Sequence, residues 1–63
     1  MTLHSVPPSA VTFGDQVVIN KHVCTVKFID GPDNAGAYDL YAHDEATGQD
    51  VRAIVTESIT LAL

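Results

Sequence analysis

Cys24-Thr-Val-Lys-Phe-Ile-Asp-Gly-Pro-Asp-Asn-Ala-Gly-Ala-Tyr-Asp-Leu-Tyr-Ala-His43 contains two segments of alternating apolar and polar residues, separated by turn-forming residues. A period of two is typical of half-buried antiparallel strands. In the first segment we place Cys24, Val26 and Phe28 on the inward face. In the second segment the inward residues are Tyr38, Leu40 and Ala42. The stretch therefore predicts two adjacent strands joined by the irregular loop 30–36.

The rest of the chain supports three further strands. The first covers residues 17–20 and is entered through a turn at Gly14 and Asp15. A hairpin turn at 44–49, with Gly48 in the left-handed conformation, leads to a strand at 50–55. We predict one turn of 3₁₀ helix at 56–58 and a last strand at 59–63. No segment has helical periodicity over ten residues. The sequence therefore predicts an all-β domain of five short strands over residues 13–63.

Residues 1–12 are predicted to form an extended or flexible N-terminal segment. Pro7 and Pro8 favour an extended backbone and donate no hydrogen bonds to a sheet. Leu3 and Val6 are the residues of this segment that could dock on the core.

Composition restricts the classes of function. The 63 residues form one small domain with eight carboxylates against three Lys or Arg, and the net charge is −5. Such a charge disfavours nucleic acids and anionic membranes, since both are bound through cationic side chains. One cysteine, no signal peptide and no long apolar run favour a cytoplasmic protein. A basic protein partner is compatible with the charge.

A domain this small is marginally stable, and oligomerisation is one common remedy. The apolar end of the chain carries no charge that would protect a strand edge. We therefore expect that a homo-oligomer could form through the last strand, by way of Ile59, Leu61 and Leu63. The alternative is that this strand simply completes the sheet within one chain.

Chemically reactive side chains do not form a recognisable motif. A zinc site would need His22, Cys24, His43 and also His4 to converge, and their spacing matches no zinc motif. Cys24 as a nucleophile would need a base that is held in place, and none is evident. We therefore predict no catalytic residue, no metal site and no cofactor.

Two pairs of carboxylates, Asp30/Asp33 and Asp44/Glu45, fall in predicted turns. General acid–base chemistry needs a carboxyl group with a raised pKa in a cleft. Turn carboxylates instead accept hydrogen bonds from nearby amides, and we expect both pairs to remain solvated.

The outward face of the central strands is the best candidate for a binding surface. Tyr and Arg are enriched among residues that dominate binding energies. The candidate binding residues are Lys27, Asp39, Tyr41, His43, Arg52 and Ile54. The alternative is an ordinary solvated sheet face with cross-strand pairs, such as Asp39 with Arg52 or Lys27.

The layout resembles an SH3-like barrel. Gly14-Asp-Gln-Val17, Tyr38-Asp-Leu-Tyr41, the Thr47-Gly48 hairpin and the segment 55–61 carry this resemblance across residues 13–63. It implies a five-stranded SH3-like barrel, for which a strongly bent antiparallel sheet is the open alternative.

The layout is also similar to that of the plasmid-borne type II dihydrofolate reductases, which are tetramers with a central active-site pore. Phe13-Gly14-Asp15 and Gly36-Ala-Tyr38 fall in similar places. The pore of that family carries Val-Gln-Ile-Tyr, where this chain has Val51-Arg-Ala-Ile54. Because the ligand-binding glutamine and tyrosine have no counterpart, the resemblance does not imply reductase activity.

The leading hypothesis from the sequence is a non-enzymatic protein-interaction module that binds through the outward face and loop 30–36. A second hypothesis is a homo-oligomeric small barrel with a ligand or catalytic site at its symmetry axis. A weaker third is nucleic-acid binding through Lys27, Tyr41 and Arg52. The inward assignment of Phe28 predicts that Phe28→Ala costs about 3–5 kcal/mol and largely unfolds the domain.

Overall fold

A computed structural model describes residues 2–62 and contains one antiparallel β-sheet. The strands are Leu3–Val6 (β1), Gln16–Ile19 (β2), His22–Asp30 (β3), Tyr38–Asp44 (β4), Gln49–Val55 (β5) and Ile59–Ala62 (β6). A short 3₁₀ helix, Pro8–Ala10, follows β1. The strand order is β1-β6-β2-β3-β4-β5. The predicted all-β class is confirmed, with six strands instead of five in a sheet that is not closed.

The additional strand, β1, lies in the segment that was predicted to be extended or flexible. It pairs with β6, so that Leu3 faces Ala62 and Val6 faces Ile59. The four residues of β1 have no strand pattern of their own that could be read locally. Their partner lies at the far end of the chain, and local periodicity cannot reveal such a pairing.

The connection between β5 and β6 forces the sheet to curve. These strands are four positions apart in the sheet, yet only residues 56–58 join them. Four strand spacings in a flat sheet amount to about 19 Å. The four residue steps from Val55 to Ile59 span at most about 14 Å. The sheet must therefore bend around its core. Residues 56–58 form a bend and not the predicted 3₁₀ turn.

The inner face of this bent sheet holds one hydrophobic core. Its fully buried side chains are Val17, Cys24, Val26 and Leu40. Val11, Ala42, Val55 and Ile59 complete the buried cluster, against which Tyr38 also packs. The inward positions predicted for the second central strand, Tyr38, Leu40 and Ala42, are therefore confirmed.

The inward assignment of Phe28 is wrong, because β3 contains a β-bulge. Val26 faces Ala42 and Phe28 faces Tyr41, so that Lys27 is an extra residue without an opposite. One inserted residue exchanges the faces of everything that follows it in a strand. Phe28 is consequently 55% exposed, and Ile29 packs against the core in its place.

Tight turns fix the other hairpins. Asn20 and Lys21 join β2 to β3 with positive φ angles of 52° and 69°, as a type I′ turn requires. Gly48 has φ 75° in the hairpin between β4 and β5, as predicted. Its N–H donates to the carbonyl oxygen of Asp44 over 2.8 Å.

Candidate binding surface

The six predicted binding residues all lie on β3, β4 and β5. Lys27 is exposed at the bulge, and Tyr41, Arg52 and Ile54 are exposed on the outer face of the sheet. Asp39 and His43 are half-buried on β4. Phe28, which was predicted to be in the core, joins them on this face because of the bulge.

Phe28, Tyr41 and Arg52 form a straight row across the three strands, which we call the aromatic row. Phe28 faces Tyr41 in the register of β3 and β4, and Tyr41 faces Arg52 in that of β4 and β5. The ring centroids of Phe28 and Tyr41 are 5.9 Å apart, with an angle of 50° between the ring planes. The Arg52 guanidinium lies 5.6 Å from the centroid of the Tyr41 ring. Tyr41 is therefore held between an aromatic edge and a cation.

A carboxylate fixes the charged end of the aromatic row. Arg52 Nη2 donates to Asp39 Oδ1 over 2.9 Å, which is one of the cross-strand pairs expected of an ordinary solvated sheet face. The hydrogen bond and the charge of Asp39 raise the pKa of Arg52, with a smaller contribution from Tyr41. Arg52 keeps its charge at any physiological pH. Its side chain remains 56% exposed, so part of the guanidinium faces solvent.

The rows on both sides of the aromatic row each contain carboxylates. On one side, Asp30 and Asp39 lie beside Ile54, which is 59% exposed. On the other side, His43 Nδ1 lies 3.0 Å from Asp50 Oδ1, and the Asp50 side chain is 86% exposed. The surface therefore has an aromatic and apolar centre between exposed carboxylates.

Loop 30–36 adjoins this surface and is held together by Asp33. Asp33 Oδ1 accepts hydrogen bonds from the N–H groups of Ala35 and Ala37, over 2.8 and 2.9 Å. This is the turn chemistry that the sequence predicted. Gly31 has φ 140°, and a Cβ there would lie 2.9 Å from atoms of Ala37 and Tyr38. The loop is thus built around one carboxylate and one glycine.

Asp44 is a titratable group whose burial the sequence analysis did not predict. It was expected to be solvated, and this is wrong, because it is only 6% exposed. Asp44 Oδ2 lies 2.9 Å from His22 Nδ1, and Asp44 Oδ1 accepts from the Ala46 N–H over 2.9 Å. Burial raises its pKa, but the hydrogen bond from Ala46, the attraction of His22 and hydrogen bonds from Thr47 outweigh burial and lower it overall.

The signal for this group was the alternation within β4, in which Asp44 follows the inward residues Leu40 and Ala42. Asp44 faces Cys24, which was correctly placed in the core, so a residue opposite it had to share that inner face. Sequence alone did not fix this pairing, because the end of β4 merges into the hairpin turn.

Cys24 lacks the exposure and the lowered pKa that mark an activated thiol. The residue is 1% exposed, and burial and the charges of Asp44 and Glu45 raise its pKa. Its Sγ–H points to the carbonyl oxygen of His22 at 3.7 Å. Within residues 2–62, no three His, Cys, Asp or Glu side chains are grouped so as to hold a metal ion.

β6 completes the sheet within one chain, which was the alternative to a homo-oligomer formed through its edge. Within 59–62, β6 pairs with β1 on one side and with β2 on the other. Ile59 is buried and Leu61 packs against the core, while Leu63 lies outside the described residues. Any association of chains through a strand edge must therefore use another strand.

Comparison with known proteins adds no family to this description. No family model matches the chain, and no curated protein matches it. In the part of the chain that the structure describes, no helix is long and apolar enough to cross a membrane.

Proposed function

We propose that this chain is a non-enzymatic protein-interaction module, acting in the cytoplasm, which binds a protein partner through the aromatic row and the adjoining loop 30–36. The aromatic row carries this proposal. Tyr41 and Arg52, of types enriched in binding hot spots, lie beside a third large side chain, Phe28, on an exposed face.

The fold is compatible with a small SH3-like architecture. Five of the strands follow the order β6-β2-β3-β4-β5, with a meander β3-β4-β5 and a three-residue link to β6. This was the layout on which the resemblance was based. A fold by itself does not specify a function, so the binding proposal depends on the side chains of the outer face.

Preorganisation is the main physical support for binding. Tyr41 contacts Phe28 and Arg52, and Asp39 holds Arg52. Side chains that are already ordered lose little conformational entropy when a partner docks. Exposed Phe28 and Ile54 would both lose water on contact, which supplies a favourable hydrophobic contribution.

The charge of the surface indicates the kind of partner. Three carboxylates, Asp30, Asp39 and Asp50, lie around the aromatic row and outnumber the two cations of this surface, Lys27 and Arg52. The whole chain has a net charge of −5. A partner segment with Lys or Arg side chains would complement these carboxylates and could place a cation over the exposed rings. We therefore propose a basic partner segment that also carries an apolar anchor.

The cytoplasmic assignment is supported by Cys24. It is a free and buried thiol, which is compatible with a reducing compartment.

The test is a selection of short peptides from a random library on the immobilised protein. We expect the selected peptides to be enriched in Lys, Arg and apolar residues. Their affinity should fall at least about tenfold on Tyr41→Ala, since truncation of a hot-spot residue costs about 2 kcal/mol or more. Leu3→Ala is the control, because Leu3 is 57% exposed on β1, at the other end of the sheet.

Two results would overturn the proposal. One is a peptide set that binds Tyr41→Ala and wild type equally well. The other is salt-sensitive binding of a fluorescent single-stranded oligonucleotide that Lys27, Tyr41 and Arg52 variants abolish. That second result would assign the aromatic row to base stacking, as in proteins that bind single strands.

A further inference from the structure

The outer edge of β5 lies apart from the face that carries the aromatic row. β5 is the last strand of the sheet and pairs only with β4 among residues 2–62. It does so in unbroken register from Gln49, opposite Asp44, to Val55, opposite Tyr38. An edge strand of this length presents a row of backbone N–H and C=O groups that another strand can pair with.

This edge carries two charged side chains but lacks the other features that normally prevent pairing. Proteins protect sheet edges with charged side chains, especially lysines, and with prolines, bulges, short strands or inward-pointing charges. The charged residues of β5, Asp50 and Arg52, have opposite signs. β5 contains no Lys or Pro, its register is continuous, and its inward residues are Val51, Ala53 and Val55. The opposite edge, β1, has only four residues and runs into Pro7 and Pro8. Of the two edges, β5 is therefore the one that is open to association.

The inner face beneath this edge is also incompletely covered. Val51 and Ala53 are half-buried, although they pack against the core, whereas Val55 is buried. A strand added beside β5 would cover the exposed parts of Val51 and Ala53. The gain is hydrophobic and adds to the new backbone hydrogen bonds.

The charges of β5 point to a second copy of this chain as the occupant. Two antiparallel copies share one sheet, with their outer faces on the same side, when the two-fold axis passes through a residue of β5. An axis at Asp50 places two carboxylates opposite each other, and an axis at Arg52 does the same with two guanidinium groups. An axis at Val51 instead places each Asp50 opposite Arg52 of the other copy. Cross-strand pairs of opposite charge stabilise a sheet and like charges destabilise it.

We propose that the protein forms a two-fold symmetric dimer by antiparallel pairing of its β5 edges, centred on Val51. Asp50 and Arg52 have the exposed surface that this needs, since their side chains are 86% and 56% exposed. Arg52 has enough N–H donors to bind Asp39 and a second carboxylate at once. The pairing is isologous, as a closed dimer requires.

The dimer joins the two outer faces into one surface. Arg52 ends the aromatic row of one copy, and Asp50 ends the row of His43 and Thr25 in the other. Across the new interface, the aromatic row of one copy would continue into the row of Asp50, His43 and Thr25 of the other copy. Each copy thereby contributes a carboxylate to the aromatic row of its neighbour. The dimer does not depend on the proposed function, since it forms through the strand edge whether or not a partner binds.

The first test is the mass of the full chain in solution, measured by sedimentation over a dilution series. We expect a dimer at high concentration that dissociates on dilution. Arg52→Asp places two acidic pairs across the interface and should weaken dimerisation at least about tenfold, while the circular dichroism spectrum stays that of the wild type. The double variant Asp50→Arg/Arg52→Asp exchanges the charges and should restore the dimer. A wild type that remains monomeric at every concentration overturns the proposal.

The second test examines the register by disulfide trapping. Val51→Cys places two thiols opposite each other, with Cβ atoms about 5 Å apart. Ala53→Cys is the matched control, because its two copies would lie about 14 Å apart along the strands, too far for a disulfide. Cys24 is buried and does not compete. Oxidised glutathione should link Val51→Cys into a dimer and leave Ala53→Cys monomeric. Linkage of Ala53→Cys alone would overturn the register.

Discussion

The two halves of β3 contain similar residues and both alternate between the two faces of the sheet, but the alternation of the second half is shifted by one residue. In the first half, 22–26, the apolar side chains of Cys24 and Val26 point into the core, as strict alternation predicts. In the second half, 28–30, the large apolar residue Phe28 points outward and Ile29 points inward. One extra residue, Lys27, separates the halves. The face that a side chain occupies thus depends on how many residues separate it from the nearest bulge, as well as on its own hydrophobicity.

The largest effect should come from removing one residue of the regular half. Without Thr25, the strand keeps Val26, Phe28 and Ile29 in place only if Cys24 shifts to the outer face. It keeps Cys24, Phe28 and Ile29 in place only if the bulge is lost. Val26 then moves to the outer face, and Lys27 takes the position that Val26 holds at 0% exposure. An unpaired buried cation costs several kcal/mol, comparable to the whole stability of so small a domain. We expect the Thr25 deletion to be unfolded, with no cooperative transition in a circular dichroism melt.

Alanine substitutions at the two residues after the bulge should have smaller effects on stability, and these effects should differ from each other. Ile29→Ala should cost about 1–2 kcal/mol, less than the 2–5 kcal/mol of a fully buried site, because Ile29 is half-buried. Phe28→Ala should cost less than about 1 kcal/mol, chiefly the contact with Tyr41, in place of the core loss that alternation predicted.

Urea titrations of the two variants against wild type provide the measurement. Truncation of the larger side chain, Phe28, should lower the free energy of unfolding less than truncation of Ile29. If Phe28→Ala is more destabilising than Ile29→Ala, then the register after Lys27 is regular and Phe28 belongs to the core.

The first half of β3 also differs in that His22, at its start, contacts the buried carboxylate of Asp44, with 2.9 Å between His22 Nδ1 and Asp44 Oδ2. The pKa of Asp44 is lowered in the folded state, so its ionised form stabilises the fold above the ordinary pKa of an aspartate. That contribution is lost as the pH falls through the lowered folded-state pKa. We expect Asp44→Asn to be less stable than wild type at neutral pH and the difference to shrink towards pH values below 4.

The measurement is the urea midpoint of both proteins at neutral and acidic pH. Asp33→Asn is the control, since Asp33 accepts similar turn hydrogen bonds in an exposed loop. It should change the neutral-pH midpoint less than Asp44→Asn does. A difference between Asp44→Asn and wild type that grows on acidification would contradict the assignment.

Particular residues show how far sequence reasoning could go. Strand positions at Leu40 and Ala42, the turn glycine Gly48 and the pair of Asp39 with Arg52 were all predicted, because each depends on near neighbours or on alternation within one strand. Phe28 was assigned to the wrong face because a bulge leaves no mark in the polarity pattern: Lys27 is as polar as any outward residue.

The other errors have different causes. The pairing of β1 with β6 joins the two ends of the chain. Alternation within a segment identifies a strand, but it does not say which strand lies beside it. Asp44 continues the inward alternation of Leu40 and Ala42, but it was assigned to the turn that follows the strand. The aromatic row was found only in part, as Tyr41 and Arg52, because the bulge places Phe28 on the outer face.

The smallest effect should come from deleting Lys27 itself. Without this residue, Val26 still faces Ala42, Phe28 still faces Tyr41 and Ile29 still faces Leu40, so no side chain changes face. The strand loses only its bulge and some local twist. We expect a folded protein with a melting temperature close to that of wild type and an unchanged pattern of buried amides in hydrogen exchange. The Thr25 deletion, two positions away, also removes one residue. A difference in stability between the two deletions therefore shows that the face assigned to each side chain, and not the loss of a residue as such, decides whether the domain folds. If the Lys27 deletion unfolds the domain as the Thr25 deletion does, then β3 does not contain its bulge at Lys27, and the exposed aromatic row does not form.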